Sequence, residues 1–211
     1  MTQTLDLGPR VELISMDPHF HDITIALYSP GSDGQPAYLV HTYSSIPGAD
    51  ERLARLRQTM KTLGGMEATG EGLLHFPCGH AHPLAARRVF LDSCKLKPET
   101  PAEAKPLNIF DKKSDGTITV ASLGNGLYEA RPADDAQGTE RRVATIARGL
   151  MRLGEMEEVD GQPNQTRFSC SQEHDDLIGL LLGRAPNVRA AMREAEDMAS
   201  RGVLTAPSAQ E

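Results

Sequence analysis

The chain has 211 residues, 39% of them hydrophobic, and carries 22 Lys and Arg against 29 Asp and Glu, for a net charge of −7. Nucleic-acid binders usually present a basic surface that releases counterions from phosphates, so this balance predicts no nucleic-acid partner. No stretch approaches the ~20 apolar residues of a membrane helix, and the first residues lack the features of a signal peptide. Three cysteines, an odd number, argue against a disulfide framework. We therefore expect a soluble, cytoplasmic protein without a membrane partner.

The first part of the chain, residues 1–96, reads as three strands, a helix, a fourth strand and a second helix. Apolar and β-branched segments predict the strands, at 11–16, 23–28, 38–43 and 73–76. Apolar residues at helical spacing predict the first helix over 53–63, and the Gly-Gly pair after it is typical of a helix end. The second helix is predicted to begin at Pro83, which suits a first turn, and to run to about Cys94.

Two segments of the chain match two later ones. Residues 76–82 read FPCGHAH and residues 168–174 read FSCSQEH, so both fit F-x-C-x3-H, ninety-two positions apart. Upstream, LGGME at 63–67 is matched by LGEME at 153–157, ninety positions apart. A repeat of this length indicates two copies of one folding unit.

The second copy, residues 106–186, is predicted to repeat the order of the first. Its strands are predicted at 107–110, 117–120, 127–130 and 166–168, with an Asp-Gly hairpin turn at 113–116. Helical spacing predicts one helix over 143–153 and another from Asp175. Residues 97–105, rich in Pro, Glu, Ala and Lys, are interpreted as the linker between the copies.

The pattern as a whole predicts an α+β fold, a tandem duplication of a βββαβα unit with antiparallel sheets and helices packed on one face. The two copies could pair edge to edge into one sheet of about eight strands, which would satisfy exposed strand edges. The glutamate that follows the first helix of each copy, Glu67 or Glu157, is interpreted as a turn residue.

Residues 187–211 have no counterpart in the first copy and are predicted to form an amphipathic helix, at 187–202, and a tail. One face of the helix is apolar and consists of Val188, Ala191, Met192, Ala195, Met198 and Ala199. This face can pack on the body of the same chain, or it can form a homodimer contact. The sequence leaves both alternatives open.

Three residues of the first motif alternate: Cys78, His80 and His82. On an extended strand such residues point to one face. A thiolate with two imidazoles is a zinc half-site, and three protein ligands with an open fourth position suit catalysis. His19 or His21 could instead complete a metal site with His80 or His82. Six of the seven histidines lie in the first copy, and the second copy has Gln in place of His80, so this site would exist in the first copy only.

A second arrangement uses what both copies keep. The Cys and His of the motif occur as Cys78 and His82 and, at the repeat-equivalent positions, as Cys170 and His174. Together they would form a Cys2His2 set in which a structural zinc clamps the halves, provided that the strand ends meet at a pseudo-twofold axis. Two alternatives need no metal. The shared residues can be core and cap positions of the unit, or Cys78 can be a nucleophile activated by a helix N-terminus.

These patterns predict a noncatalytic ligand-binding or protein-interaction module built by internal duplication, with a small-molecule ligand that the sequence does not identify. The alternative is a zinc-dependent, hydrolase-like enzyme with its Cys/His site in the first copy. Signatures such as G-x-S-x-G, HExxH and phosphate-binding loops do not occur, so the sequence leaves open whether the protein is an enzyme. No cofactor is expected, although these residues make zinc possible.

Overall fold

A computed structural model describes residues 11–19, 21–28, 34–69, 72–95, 118–132, 140–182 and 188–201. Over these ranges the chain forms two antiparallel sheets and five helices, which confirms the predicted α+β class. Four predicted features lie outside the described residues: the linker at 97–105, the strand at 107–110, the hairpin turn at 113–116 and the tail after residue 201. The predicted domain boundaries stay predictions.

The first sheet has five strands in the order β1-β2-β3-β5-β4. The strands are β1 (Val11–Met16), β2 (Ile23–Tyr28), β3 (Ala37–Thr42), β4 (Glu67–Ala68) and β5 (Leu73–His75). Helix α1 (Ala49–Gly64) follows β3, and helix α2 (Pro83–Lys95) follows β5. As predicted, α1 ends at the Gly-Gly pair, where Gly65 takes the left-handed conformation at φ 60°, and α2 begins at the proline.

The second sheet has four strands in the order β6-β7-β9-β8. The strands are β6 (Ile118–Gly124), β7 (Leu127–Pro132), β8 (Met156–Val159) and β9 (Gln162–Phe168). The helices of this half are α3 (Glu140–Gly154), α4 (Asp175–Leu182) and α5 (Val188–Ser200). Strands β6 to β9 thus occupy the places of β2 to β5, and α3 and α4 those of α1 and α2, which is consistent with duplication.

The two halves join through their helices. Helix α1 contacts α4, α3 contacts α2 in the same way, and α2 also contacts α4. Buried side chains from both halves form one hydrophobic core. The expectation of a single eight-stranded sheet is therefore wrong, because each set of described strands forms its own sheet and the reciprocal helix contacts hold the halves together.

The glutamates after the first helix of each half lie on strands. Glu67 begins β4 and Glu157 lies on β8, so the interpretation of both as turn residues is wrong. The methionine before each, Met66 or Met156, is buried in the core. This buried side chain packs the backbone against the core directly after the helix, so the next strand, β4 or β8, begins within two residues of the turn.

The C-terminal amphipathic helix forms as predicted and packs on the same chain. Helix α5 contacts α3 and α2. Met198 is fully buried, and Ala195 packs against the core, whereas Met192 is 40% exposed. Part of the apolar face is thus used within the chain. Homodimerisation through this helix stays a prediction, which sedimentation tests: a 22.9 kDa species at micromolar concentration contradicts it. None of the described helices combines the length and the apolar character that crossing a bilayer requires.

Candidate metal centre

In both halves the F-x-C-x3-H motif connects a strand to a helix. The backbone N–H of Gly79 donates to the carbonyl of Phe76 at 3.0 Å, and Ser171 donates to Phe168 at 2.9 Å. The two segments therefore make the same tight turn. The last residue of each turn has positive φ, 74° for Gly79 and 55° for Ser171, a conformation that glycine adopts more easily than serine. The turn lifts each cysteine out of its sheet and ahead of the next helix.

The cysteine of each turn faces the histidine of the same motif. The distance from Cys78 Sγ to His82 Nε2 is 3.3 Å, and that from Cys170 Sγ to His174 Nε2 is 3.2 Å. A backbone N–H two positions after each cysteine, at residue 80 or residue 172, donates to its sulfur at 3.4 or 3.5 Å. Such N–H donors stabilise negative charge on sulfur.

The two motifs meet where α2 packs against α4. All four ligand atoms, the two Sγ and one nitrogen of each histidine, lie within 4.8 Å of one another. We call this group the Cys2His2 centre; it consists of Cys78, His82, Cys170 and His174. The pairs that the sequence could not place relative to each other therefore converge.

Two buried phenylalanines flank the centre. The Phe76 ring lies 5.4 Å from that of His82 and 6.0 Å from that of His174, measured between ring centres. Phe168 lies 5.6 and 4.8 Å from the same two rings. All four contacts are edge-to-face, a favourable geometry for aromatic rings. The motif phenylalanines therefore form apolar walls that fix the orientation of both imidazoles.

The spacing of the four ligand atoms suits a tetrahedral metal ion. Zinc binds sulfur at about 2.3 Å and nitrogen at about 2.0–2.1 Å, which separates the two ligand types by about 3.6 Å. The distances of 3.3 and 3.2 Å within each motif come within about 0.4 Å of this value. The widest separation, 4.8 Å, requires side-chain shifts of about 1 Å. Two thiols and two imidazoles are also a donor set that is typical of structural zinc.

Burial sets the protonation states of the centre. Together with smaller effects of the nearby His174 and His80, burial lowers the pKa of His82 from 6.5 to about 3. It also lowers the pKa of His174. Both imidazoles are therefore neutral at pH 7, as metal ligands must be. Burial raises the pKa of Cys78 to about 11. This direction argues against the nucleophile hypothesis, because activated thiols have lowered pKa values.

His80 stays outside the Cys2His2 centre. The strand on which its alternation with Cys78 and His82 depended ends at His75, so the three side chains do not share one strand face. His80 is exposed, and its Nδ1 lies 3.2 Å from the carbonyl oxygen of Cys78. The group around Cys78 and His82 is completed instead by the cysteine and histidine of the other half.

His19 and His21 lie at the far end of the first sheet. Their turn joins β1 to β2, and β2 begins opposite Thr42, the last residue of β3. The motif follows β5, in which Leu74 pairs with Tyr38 near the start of β3. Four residues of strand, about 13 Å, separate these ends of β3. The topology therefore contradicts the expectation that His19 or His21 completes a site with His80 or His82.

Two buried tyrosines that the sequence analysis did not single out support the centre. The hydroxyl of Tyr128 accepts a hydrogen bond from the backbone N–H of His174 at 2.7 Å and donates to Asp175 at 2.9 Å. In the other half, Tyr38 donates to the carbonyl of Ala81, one residue before a ligand. These tyrosines stand ninety positions apart, at the same offset as the LGxME segments. Alignment of the two copies at this offset would therefore have identified them.

A cavity of about 300 Å³ opens beside the centre. It borders two of the ligands, Cys78 and His174, and is also lined by Gly64, Gly65 and the first turn of α4. Small molecules can therefore approach the centre from this side.

Comparison with known proteins yields no relative: no protein family, curated protein or solved structure matches the chain. The function of the centre is therefore inferred from its own chemistry. That chemistry consists of four convergent donors, two from each half, between buried aromatic walls.

Proposed function

We propose that this protein is a noncatalytic module whose two halves are held together by a structural zinc ion in the Cys2His2 centre. The convergence of two donors from each half within 4.8 Å is the observation that carries the proposal. Zinc sites with four protein ligands of these types are usually structural. A metal bridging the halves would contribute directly to the stability of the fold.

Four protein ligands would fill all positions of a tetrahedral ion, which favours a structural role over a catalytic one. Catalytic zinc usually has three protein ligands and keeps a fourth position for water or substrate. The hydrolase-like alternative retains one supporting observation, the cavity that borders Cys78 and His174. A substrate there could reach the metal only if the ion expanded its coordination or lost a ligand.

Metal analysis of the full chain, expressed without a histidine tag, tests the proposal. We expect about one zinc per chain, and its removal by a chelator should lower the melting temperature by about 5–10 °C if the free zinc had been about 100-fold above the Kd. Cys170→Ser should lose the metal. The matched control is Cys94→Ser, because Cys94 is a cysteine of α2 outside the centre and its removal should leave zinc bound.

Cobalt substitution separates the structural role from the enzymatic alternative. We expect a tetrahedral spectrum with sulfur-to-cobalt charge transfer, unchanged by added small ligands such as azide or hydroxamate. A spectrum that changes on their addition, together with chelator-sensitive ester hydrolysis, would support the zinc enzyme instead. A chain that binds no zinc and keeps its melting temperature in chelator contradicts both.

A further inference from the structure

The two sulfurs of the Cys2His2 centre are close enough to react with each other. Cys78 and Cys170 are free thiols whose sulfurs lie within 4.8 Å. They come from opposite halves of the chain, and both side chains are partly exposed. The third cysteine, Cys94, lies on α2 and does not belong to the centre.

We propose that the centre is a redox switch, in which a peroxide oxidises Cys78 and Cys170 to a disulfide and thereby releases the metal. The proposal rests on the proposed zinc site and adds its regulation. The reduced state holds the halves through four metal–ligand bonds. The oxidised state holds them through one covalent bond and leaves both histidines without an ion.

The chemistry balances with hydrogen peroxide as the oxidant. Metal binding would keep both cysteines deprotonated, unlike in the metal-free centre. The Cys78 thiolate attacks one peroxide oxygen, the O–O bond breaks, and the displaced hydroxide takes a proton to become water. The Cys170 thiolate then attacks the resulting sulfenic acid, the S–S bond forms, and a second hydroxide leaves and is protonated. The two sulfurs together lose two electrons, the peroxide gains them, and two protons from solvent complete two waters. Zinc leaves because a disulfide offers it no thiolate.

The local backbone can accommodate this change. Both cysteines lie in turns, after strands that end at His75 and Phe168 and before helices that begin at Pro83 and Asp175. The sulfurs can therefore approach the disulfide bond length of about 2.05 Å without breaking a strand ladder. The cavity of about 300 Å³ borders Cys78, so a molecule as small as peroxide can reach the first sulfur to react.

Zinc release and mass measured on the same sample test the switch. The full chain carrying Cys94→Ser, without a histidine tag and loaded with zinc, is treated with a small excess of hydrogen peroxide. We expect loss of about one zinc per chain to a chromogenic chelator, loss of both thiols and a mass decrease of about 2 Da. A peptide map should join the segments containing residues 78 and 170. Reductant with added zinc should restore the starting state.

A second measurement keeps the test sharp. Zinc release and cross-link formation, followed on the same sample, should have the same time course, because formation of the disulfide is what removes the two thiolates. Zinc retained by the treated protein, or sulfinic acid without a cross-link, overturns the switch while leaving the zinc site intact. Absence of zinc before any peroxide is added contradicts the proposed function itself.

Discussion

The carboxylate of Glu155 accepts a hydrogen bond from the backbone N–H of Leu84, at 3.1 Å and across 71 positions of the chain. The N–H of Ala85 donates to the same carboxylate. A side chain of the second half therefore caps the first turn of α2 in the first half, where its charge also complements the helix dipole. Because Leu84 follows His82 by two residues, this contact fixes the backbone next to a ligand of the centre.

The backbone at Glu155 is unusual for its residue type. Glu155 follows α3 with φ 55°, whereas the equivalent position after α1 is Gly65, with φ 60°. A left-handed conformation costs a non-glycine residue roughly 1–2 kcal/mol. The cap that this side chain provides offsets the strain, and the first half has no need of it because α4 carries its own acidic residues, Asp175 and Asp176, in its first turn.

Replacement of Glu155 by Gln should change how stability depends on pH. Burial raises the pKa of Glu155 from 4.5 to about 7, although hydrogen bonds from Leu84 and Ala85 oppose the shift. The folded state therefore binds the proton more tightly than the unfolded state. Stability from this group is complete below about pH 4.5 and is lost as pH rises through 7, by up to about 3 kcal/mol. Glu155→Gln stays neutral, so its free energy of unfolding should rise relative to that of the wild type over this pH interval.

Urea denaturation of both proteins between pH 4.5 and 8 measures this difference. The matched control is Glu157→Gln, the same chemical change at an exposed position of β8, which should follow the wild type at every pH. Parallel pH profiles for Glu155→Gln and the wild type would contradict the role given to the buried carboxyl.

The sequence was sufficient to predict the long helices and the Cys–His pair of each half, but not how the two halves pack against each other. Periodicity located the long helices, and the repeat paired Cys78 with His82 and Cys170 with His174, because these are local or copied patterns. The contact of α2 with α4 depends on surfaces that only the folded halves possess, so it could not be derived from spacing. Strand β4, with two residues, is too short to show an alternation.

Replacement of Gly64 by alanine should destabilise the protein, whereas the same change at a helical glycine with free space around it should not. A Cβ at Gly64 would lie 2.9 and 3.0 Å from the two methyl groups of Val89, a fully buried residue of α2. We expect Gly64→Ala to lower the free energy of unfolding by about 1–3 kcal/mol through overpacking. The control is Gly179→Ala in α4, where a Cβ meets nothing within 4 Å. This change should raise the free energy of unfolding by up to about 1 kcal/mol, because alanine has a higher helix propensity than glycine. Equal effects in denaturation would contradict a tight α1–α2 contact.

Glu194 should anchor α5 to the body of the chain. It accepts a hydrogen bond from Arg87 at 3.1 Å and another from Arg88, and the side chains of both arginines are less than one fifth exposed. Glu194→Gln removes the charge opposite two mostly buried guanidinium groups, which should cost about 1–3 kcal/mol. Denaturation together with hydrogen exchange should show faster exchange in α5. Glu196→Gln, at an exposed position of the same helix, is the control, and an equal loss in both variants would contradict the anchor.

Tyr128 should position a metal ligand rather than merely fill the core. Its hydroxyl accepts the backbone N–H of His174 at 2.7 Å, so Tyr128→Phe leaves a buried donor without its partner at a cost of about 1–3 kcal/mol. Loosening His174 should also weaken zinc binding by about tenfold, as loss of supporting contacts does at other metal sites. Competition with a chromogenic chelator measures the affinity, and Tyr43→Phe, at a residue that is 76% exposed, is the control. If Tyr128→Phe lowers stability but leaves zinc affinity at the level of Tyr43→Phe, the hydroxyl supports the fold alone.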